Sequence, residues 1–240
     1  MPGRTGERKR GWIRYVWMCV PLAVVLAIPM ECLWPASARK KKEWIEHYER
    51  GTSLIRSKRY VEAQEELEGA LGIAEELFGP RSARTYNTLY NLGTTYFNQE
   101  KLSAAERVFL RAAEMAAEVF GPKDDAVVDS LKYLSEIYYS SESLEEGIAV
   151  SKRLLAIREE TLGPDHPTVG TILYHLGLDY SFLEAPTHFD EAESYLLRAL
   201  NIQERNLAPD DPALDLIRGC LKELYTLQGR CEEADRLTSG

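Results

Sequence analysis

Cysteine is scarce, with four in 240 residues. That is too few to hold a fold together through a disulfide framework. Histidine is equally rare, and His47, His166, His175 and His188 share no spacing with each other or with cysteine that would gather zinc ligands. No glycine-rich phosphate loop and no nucleophile elbow occurs. The pairs Glu65-Glu66, Glu145-Glu146 and Glu232-Glu233 read as solvated helix faces rather than acid–base machinery. Positive charge is short as well, 29 Lys+Arg against 38 Asp+Glu, whereas a nucleic-acid binder needs a basic face to displace counterions. These absences predict a protein that is not an enzyme, needs no cofactor or metal, and does not bind nucleic acid. At 45% hydrophobic the chain is too apolar to stay disordered.

Long apolar runs are confined to the start. Arg4, Arg8, Lys9, Arg10 and Arg14 precede the apolar tract Val16 to Met30, and Ala36-Ser37-Ala38 follows with small residues at signal-peptidase spacing. A helix of that length spans about 22 Å, short of a ~30 Å hydrocarbon core. Residues 1–38 are therefore expected to be a signal peptide cleaved near Ala38, making the protein periplasmic or secreted. An uncleaved membrane anchor is the alternative: Tyr15 to Ala38 carries one charge, Glu31, and Arg39-Lys40-Lys41-Lys42 follows. Residues 1–38 hold five bases and two acids, so residues 39–240 carry −12 rather than −9. Such a surface favours solubility and repels anionic membranes, leaving membrane contact to the N-terminal segment alone.

Beyond that segment the sequence repeats itself. From Gly51 to Gly93 to Ser135 to Gly177 the numbering rises by 42 each time. Ala63, Ala105 and Gly147 keep the same interval, and so do Ala70, Ala112 and Leu154. Phe78, Phe120 and Leu162 keep it too, each followed by Gly-Pro. Gly147 to Ala192 and Leu154 to Ala199 are 45 apart, whereas Ala192 to Ala234 is again 42. A three-residue insertion is therefore expected around Ala185–His188. Each unit reads as two amphipathic helices. In the second, Leu89, Leu92, Gly93 and Tyr96 share one face, and Ala105, Phe109 and Ala112 share another after a turn at Asn98–Lys101. Small residues at Gly93 and Ala105 let paired helices approach to about 8–10 Å, with Tyr96 expected between them. Pro167 and Pro212 suit a first helical turn, with Asp165 and Asp210 nearby.

This pattern resembles the tetratricopeptide repeat in its long form, as found in kinesin light chains and many bacterial proteins. The tract Leu162 to Pro212 carries most of the resemblance, which extends over nearly everything from Trp44 onward. It implies an all-α, right-handed α-solenoid with four full repeats and a truncated fifth, at about 44–80, 84–122, 126–164, 168–209 and 213–240, within a domain spanning 39–240. Kinesin light chains carry a heptad coiled coil ahead of the repeats. A signal-like segment stands there instead, so motor association is not carried over. The third unit departs most, with Ser135, Gly147 and Leu154 replacing Gly, Ala and Ala. Leu154 is expected to widen the helix spacing there. The fifth unit ends in a stub after Cys231, expected either to fray or to meet a partner, and Cys220 and Cys231 are expected to be buried thiols, with a bridge between the unit's two helices as the alternative in an exported protein.

The repeat is a scaffold, and the resemblance implies a non-catalytic adaptor that binds a peptide segment of a protein partner on the concave face formed by the first helices. The flanks of the packing stripes would point inward: Tyr48 and Thr52; Asn87, Tyr90, Asn91, Thr94 and Asn98; Lys132, Tyr133, Glu136 and Tyr139; Tyr174, His175 and Phe182. Of these, Tyr48, Asn87, Tyr90, Asn91, Asn98, Lys132, Tyr139 and Tyr174 are the expected groove residues. Rigid aromatics bury much area at low entropic cost, and amides bond a peptide backbone both ways. Packing between repeats is the competing role for the tyrosines. Repeats that clamp a C-terminal carboxylate use Lys, Asn and Arg at set places. Those places hold Tyr48, Thr52, Asn91, Asp129 and Tyr133, and only Asn91 fits. A homo-oligomer stacked through the truncated fifth unit, and a regulator of a neighbouring enzyme, are the alternatives.

Overall fold

The computed structural model describes residues 36–183 and 188–237. Over these the chain forms ten helices and no strand: α1 (Ala36–Arg56), α2 (Tyr60–Phe78), α3 (Ala83–Asn98), α4 (Leu102–Val119), α5 (Asp125–Ser140), α6 (Leu144–Leu162), α7 (Pro167–Phe182), α8 (Phe189–Asn206), α9 (Pro212–Leu227) and α10 (Cys231–Arg236). Consecutive helices pack as five hairpins, and the hairpins stack into a right-handed α-solenoid. The apolar tract Val16–Met30 lies outside the described residues, while Ala36, Ser37 and Ala38 form the first turn of α1. Among the described residues no helix is long and apolar enough to cross a membrane.

The sequence period reappears in the helix starts. Ser82 Oγ accepts from the Thr85 N–H at 3.2 Å, and Asp124 Oδ1 from Ala126 at 2.9 Å. His166 Nδ1 accepts from Thr168 at 3.2 Å, and Asp211 Oδ1 from Ala213 at 2.9 Å. These caps open α3, α5, α7 and α9, and each satisfies a backbone donor that the helix leaves orphaned. Pro167 and Pro212 follow the last two caps directly, so the capping residues are His166 and Asp211 rather than their neighbours Asp165 and Asp210.

Inside four of the five units the chain reverses through a left-handed residue: Lys58, Glu100, Glu142 and Gly229 have φ of 58°, 61°, 56° and 73°. The next N–H reaches back to close the turn, as from Lys101 to Tyr96 O at 3.0 Å and from Ser143 to Tyr138 O at 3.0 Å. In these four turns three residues separate the helices. Six lie between Phe182 and Phe189, which accommodates the three extra residues. Of the expected insertion, Ala185–Thr187 are outside the described residues.

Helix pairs close over glycine. A Cβ on Gly51 would lie 2.7 Å from Leu67 Cγ, on Gly93 2.9 Å from Phe109 Cζ, and on Gly177 2.5 Å from Leu196 Cγ. One repeat position thus gives up its side chain so that the facing helix can insert a large one. The third unit solves the same contact with two small residues, as Ser135 and Ser151 hydroxyls bond at 3.2 Å. Tyr96 is half-buried rather than enclosed, and its hydroxyl donates to Glu68 Oε1 at 2.7 Å. Tyr138 and Tyr225 repeat this bond to Glu106 and Glu193 of the preceding unit, each at 2.9 Å.

The fifth-unit stub is tied down. Arg230 donates to Glu193 Oε2 at 2.6 Å and Glu233 Oε1 at 2.7 Å, with its guanidinium 4.3 Å above the Tyr225 ring. That pairing holds the Glu193 carboxyl below the usual carboxylate range. Ala234 of α10 is buried. The two thiols are free and less enclosed than expected: Cys220 is half-buried and Cys231, at the first position of α10, is exposed.

Candidate ligand groove on the concave face

Two pockets adjoin along the odd-numbered helices. The larger, a cavity of about 610 Å³, lies between α5, α6 and α7. The smaller, about 450 Å³, lies between α3 and α5. Lys132 and Glu136, one turn apart on α5, line both and form the ridge dividing them.

The larger cavity arises from the altered packing stripe of the third unit. Positions that hold Ala63, Leu67, Ala70 and Ala74 in α2, and Ala105, Phe109, Ala112 and Ala116 in α4, hold Gly147, Ser151, Leu154 and Arg158 in α6. At the place of Leu67 and Phe109 stands the small, buried Ser151, bonded to Ser135, while two longer side chains enter where alanines allow close approach. A Cβ on Gly147 would touch nothing nearer than Tyr138 Cβ at 3.5 Å, so this glycine is not forced by crowding. Leu154 is one of the cavity-lining residues.

The expected groove residues divide into two sets. Lys132, Tyr139 and Tyr174 line the larger cavity, with Tyr139 65% exposed and open to a ligand. Tyr90, Asn98 and Lys132 line the smaller pocket. Tyr90 is also committed to packing: its ring meets Phe109 and Tyr133 edge-on at 5.8 Å each, and Tyr133 stacks on Phe109 at 4.5 Å. Burial pushes the Tyr90 hydroxyl well above the ordinary phenol value and raises that of Tyr133. Asn91 donates to Tyr48 Oη at 3.0 Å, joining the first two units, and Tyr48 stacks on Trp44. Asn98 donates back to Thr94 O at 2.7 Å, and Asn87 is exposed outside both pockets.

Charge in the groove is unevenly compensated. Lys132 Nζ stands 3.4 Å from Asp129, and Arg158 Nη1 donates to Asp125 at 2.8 Å. Glu136 and Asp179 both line the larger cavity, and neither has an ion-pair partner among the described residues. Desolvation raises the Asp179 carboxyl to about 6 and lowers the His175 imidazole one turn before it. Asp179 and Arg158 are residues the repeat frame alone passed over. Their signal was columnar: Asp179 follows Ser53, Thr95 and Ile137, and Arg158 follows two buried alanines, Ala74 and Ala116.

Family models described as tetratricopeptide repeat match residues 44–118 and 127–168. Residues 44–118 and 127–168 are tetratricopeptide repeats. Its fold is similar to the nearly identical TPR-like repeats attributed to a kinesin light chain of Podosopora anserina, with TM-score 0.63, 18% identity, and 85% of this chain and 94% of that one covered. It is also similar to the apo form of RapI, with TM-score 0.66, 15% identity, and coverage of 81% and 51%. For the MamA protein the values are 0.60, 14%, and 82% and 89%. At such identities the likeness concerns the fold alone. No curated protein matches the sequence. The tetratricopeptide-repeat architecture supports a protein–protein interaction adaptor in general terms, since a stack of hairpins presents extended surface without itself supplying reactive groups.

Proposed function

We propose that this TPR protein is a non-catalytic adaptor that holds a peptide segment of a protein partner along its concave face. The observation that carries the reading is the pair of adjoining pockets divided by Lys132 and Glu136. Adjacent pockets on one face suit successive side chains of an extended segment, and their volumes fall in the range of ligand sites. The test is affinity capture from native extract with the full chain and with a Lys132→Glu/Tyr139→Ala variant. Both side chains are exposed, so the variant keeps its fold. A partner held by the parent and lost by the variant is the expected result. Equal capture by both would place binding on the convex face or the loops.

Self-stacking is a second reading, favoured by Leu216 and Leu227 of α9, which are 59% and 64% exposed at the end of the solenoid. Light scattering across a dilution series separates the two, because a monomer at high concentration removes the stacking model. We further propose export through residues 1–38, with cleavage after Ala38 or retention as an anchor. The mass of the mature chain distinguishes these outcomes.

A further inference from the structure

We propose that the cavity between α5, α6 and α7 takes a bulky apolar side chain of the partner peptide, and that the residue beside it in that peptide is basic. This rests on the adaptor reading and gives it a chemistry. The anchor follows from the walls: Leu144, Leu154, Ile172 and Leu178 are aliphatic, Tyr139 and Tyr174 present rings, and about 610 Å³ of space lies among them. A partner side chain placed there would pack against Gly147 and Leu154 of the third unit's altered stripe, which border the open space.

The basic neighbour follows from charge. Both cations on the cavity wall already face acids, Lys132 toward Asp129 and Arg158 through Nη1 toward Asp125, while the buried Arg158 Nε remains a donor without a partner. Glu136 and Asp179 face the same space without a cation. Asp179 is half-buried, and its raised carboxyl value reflects the cost of a desolvated charge left unpaired. A ligand ammonium or guanidinium would offset that cost, whereas a carboxylate or phosphate beside the anchor would add repulsion.

The probes are three fluorescein-labelled decapeptides, identical Gly-Ser frames with Trp-Lys, Trp-Glu or Ala-Lys at the centre, titrated with the full chain and read by anisotropy. The Trp-Lys peptide should bind about tenfold more tightly than either of the others. Asp179→Asn should shrink the Trp-Lys over Trp-Glu preference to about threefold or less without abolishing binding. Thr171→Trp, which fills the cavity from an exposed position, should remove binding, with helicity checked by circular dichroism. Asp179→Asn keeps shape and serves as the deciding variant if Thr171→Trp loses helicity. Equal or stronger binding of Trp-Glu, blocked by Thr171→Trp, would overturn the basic neighbour while leaving the groove in place. Absence of binding by every peptide, or indifference to Thr171→Trp in a folded variant, would overturn the cavity assignment. Partner capture with Lys132→Glu/Tyr139→Ala then tells whether the adaptor reading falls with it.

Discussion

Replacing Gly93 by alanine should destabilise the protein, and the same change at Gly147 should stabilise it. Both glycines are buried in helix interiors, where alanine is intrinsically favoured by about 1 kcal/mol. The difference lies in what the new methyl meets. At Gly93 it would sit 2.9–3.1 Å from three atoms of the Phe109 ring, inside ordinary van der Waals contact. That ring cannot easily yield: it is fully buried, stacked on Tyr133 at 4.5 Å and met edge-on by Tyr90. Overpacking of this kind costs about 1–3 kcal/mol, so a net loss of up to about 2 kcal/mol should remain once helix propensity is counted. At Gly147 the methyl would meet only Tyr138 Cβ at 3.5 Å, and the full gain of about 1 kcal/mol should appear. Urea titrations followed by far-UV circular dichroism measure both, provided the slopes match the parent. A Gly93→Ala midpoint at or above the parent's would show that the paired helices do not meet through Phe109. A Gly147→Ala loss would show that the third unit is already tightly packed.

Three further outcomes follow from the same contacts. Burial raises the Asp179 carboxyl to about 6 from 3.8, so the folded chain holds that proton more tightly than the unfolded one. The penalty is absent below about pH 4, grows up to about pH 6 and stays constant above. Asp179→Asn should therefore stabilise by on the order of 1–2 kcal/mol near pH 7.5 and by nothing near pH 3.5, and a pH-independent difference between their melts would refute the desolvation account. Glu142 holds a left-handed φ of 56°, so Glu142→Gly should raise stability by about 0.5–1 kcal/mol in a urea titration; a loss would mean the glutamate side chain supports the turn. Arg230 ties α10 to Glu193, so Arg230→Met should speed amide exchange in Cys231–Arg236 by at least about tenfold while leaving α8 unchanged. Unchanged exchange would assign the docking of α10 to Ala234 alone.

The repeat, and with it the fold, could be read from the residues alone. One constant interval, lengthened once by three, located the small residues at Gly51, Gly93 and Gly177, and the structure presses each against Leu67, Phe109 or Leu196. A period survives in sequence because every unit must solve the same packing problem with the same kinds of side chain. The irregular third unit was equally visible at Ser135, Gly147 and Leu154. What those departures amount to was decided only by tertiary structure. Whether a missing side chain leaves a void or is compensated depends on its neighbours across two other helices: Ser151 is closed off by its bond to Ser135, whereas Gly147, Leu154 and Arg158 border open space. Side-chain commitment was likewise out of reach. Tyr90 and Tyr174 occupy the same repeat position, yet Tyr90 is locked among Phe109 and Tyr133 while Tyr174 lines the cavity. Periodicity fixes which face of a helix a residue stands on. Only the packed neighbours decide whether it is spent holding the solenoid together or left to meet something else.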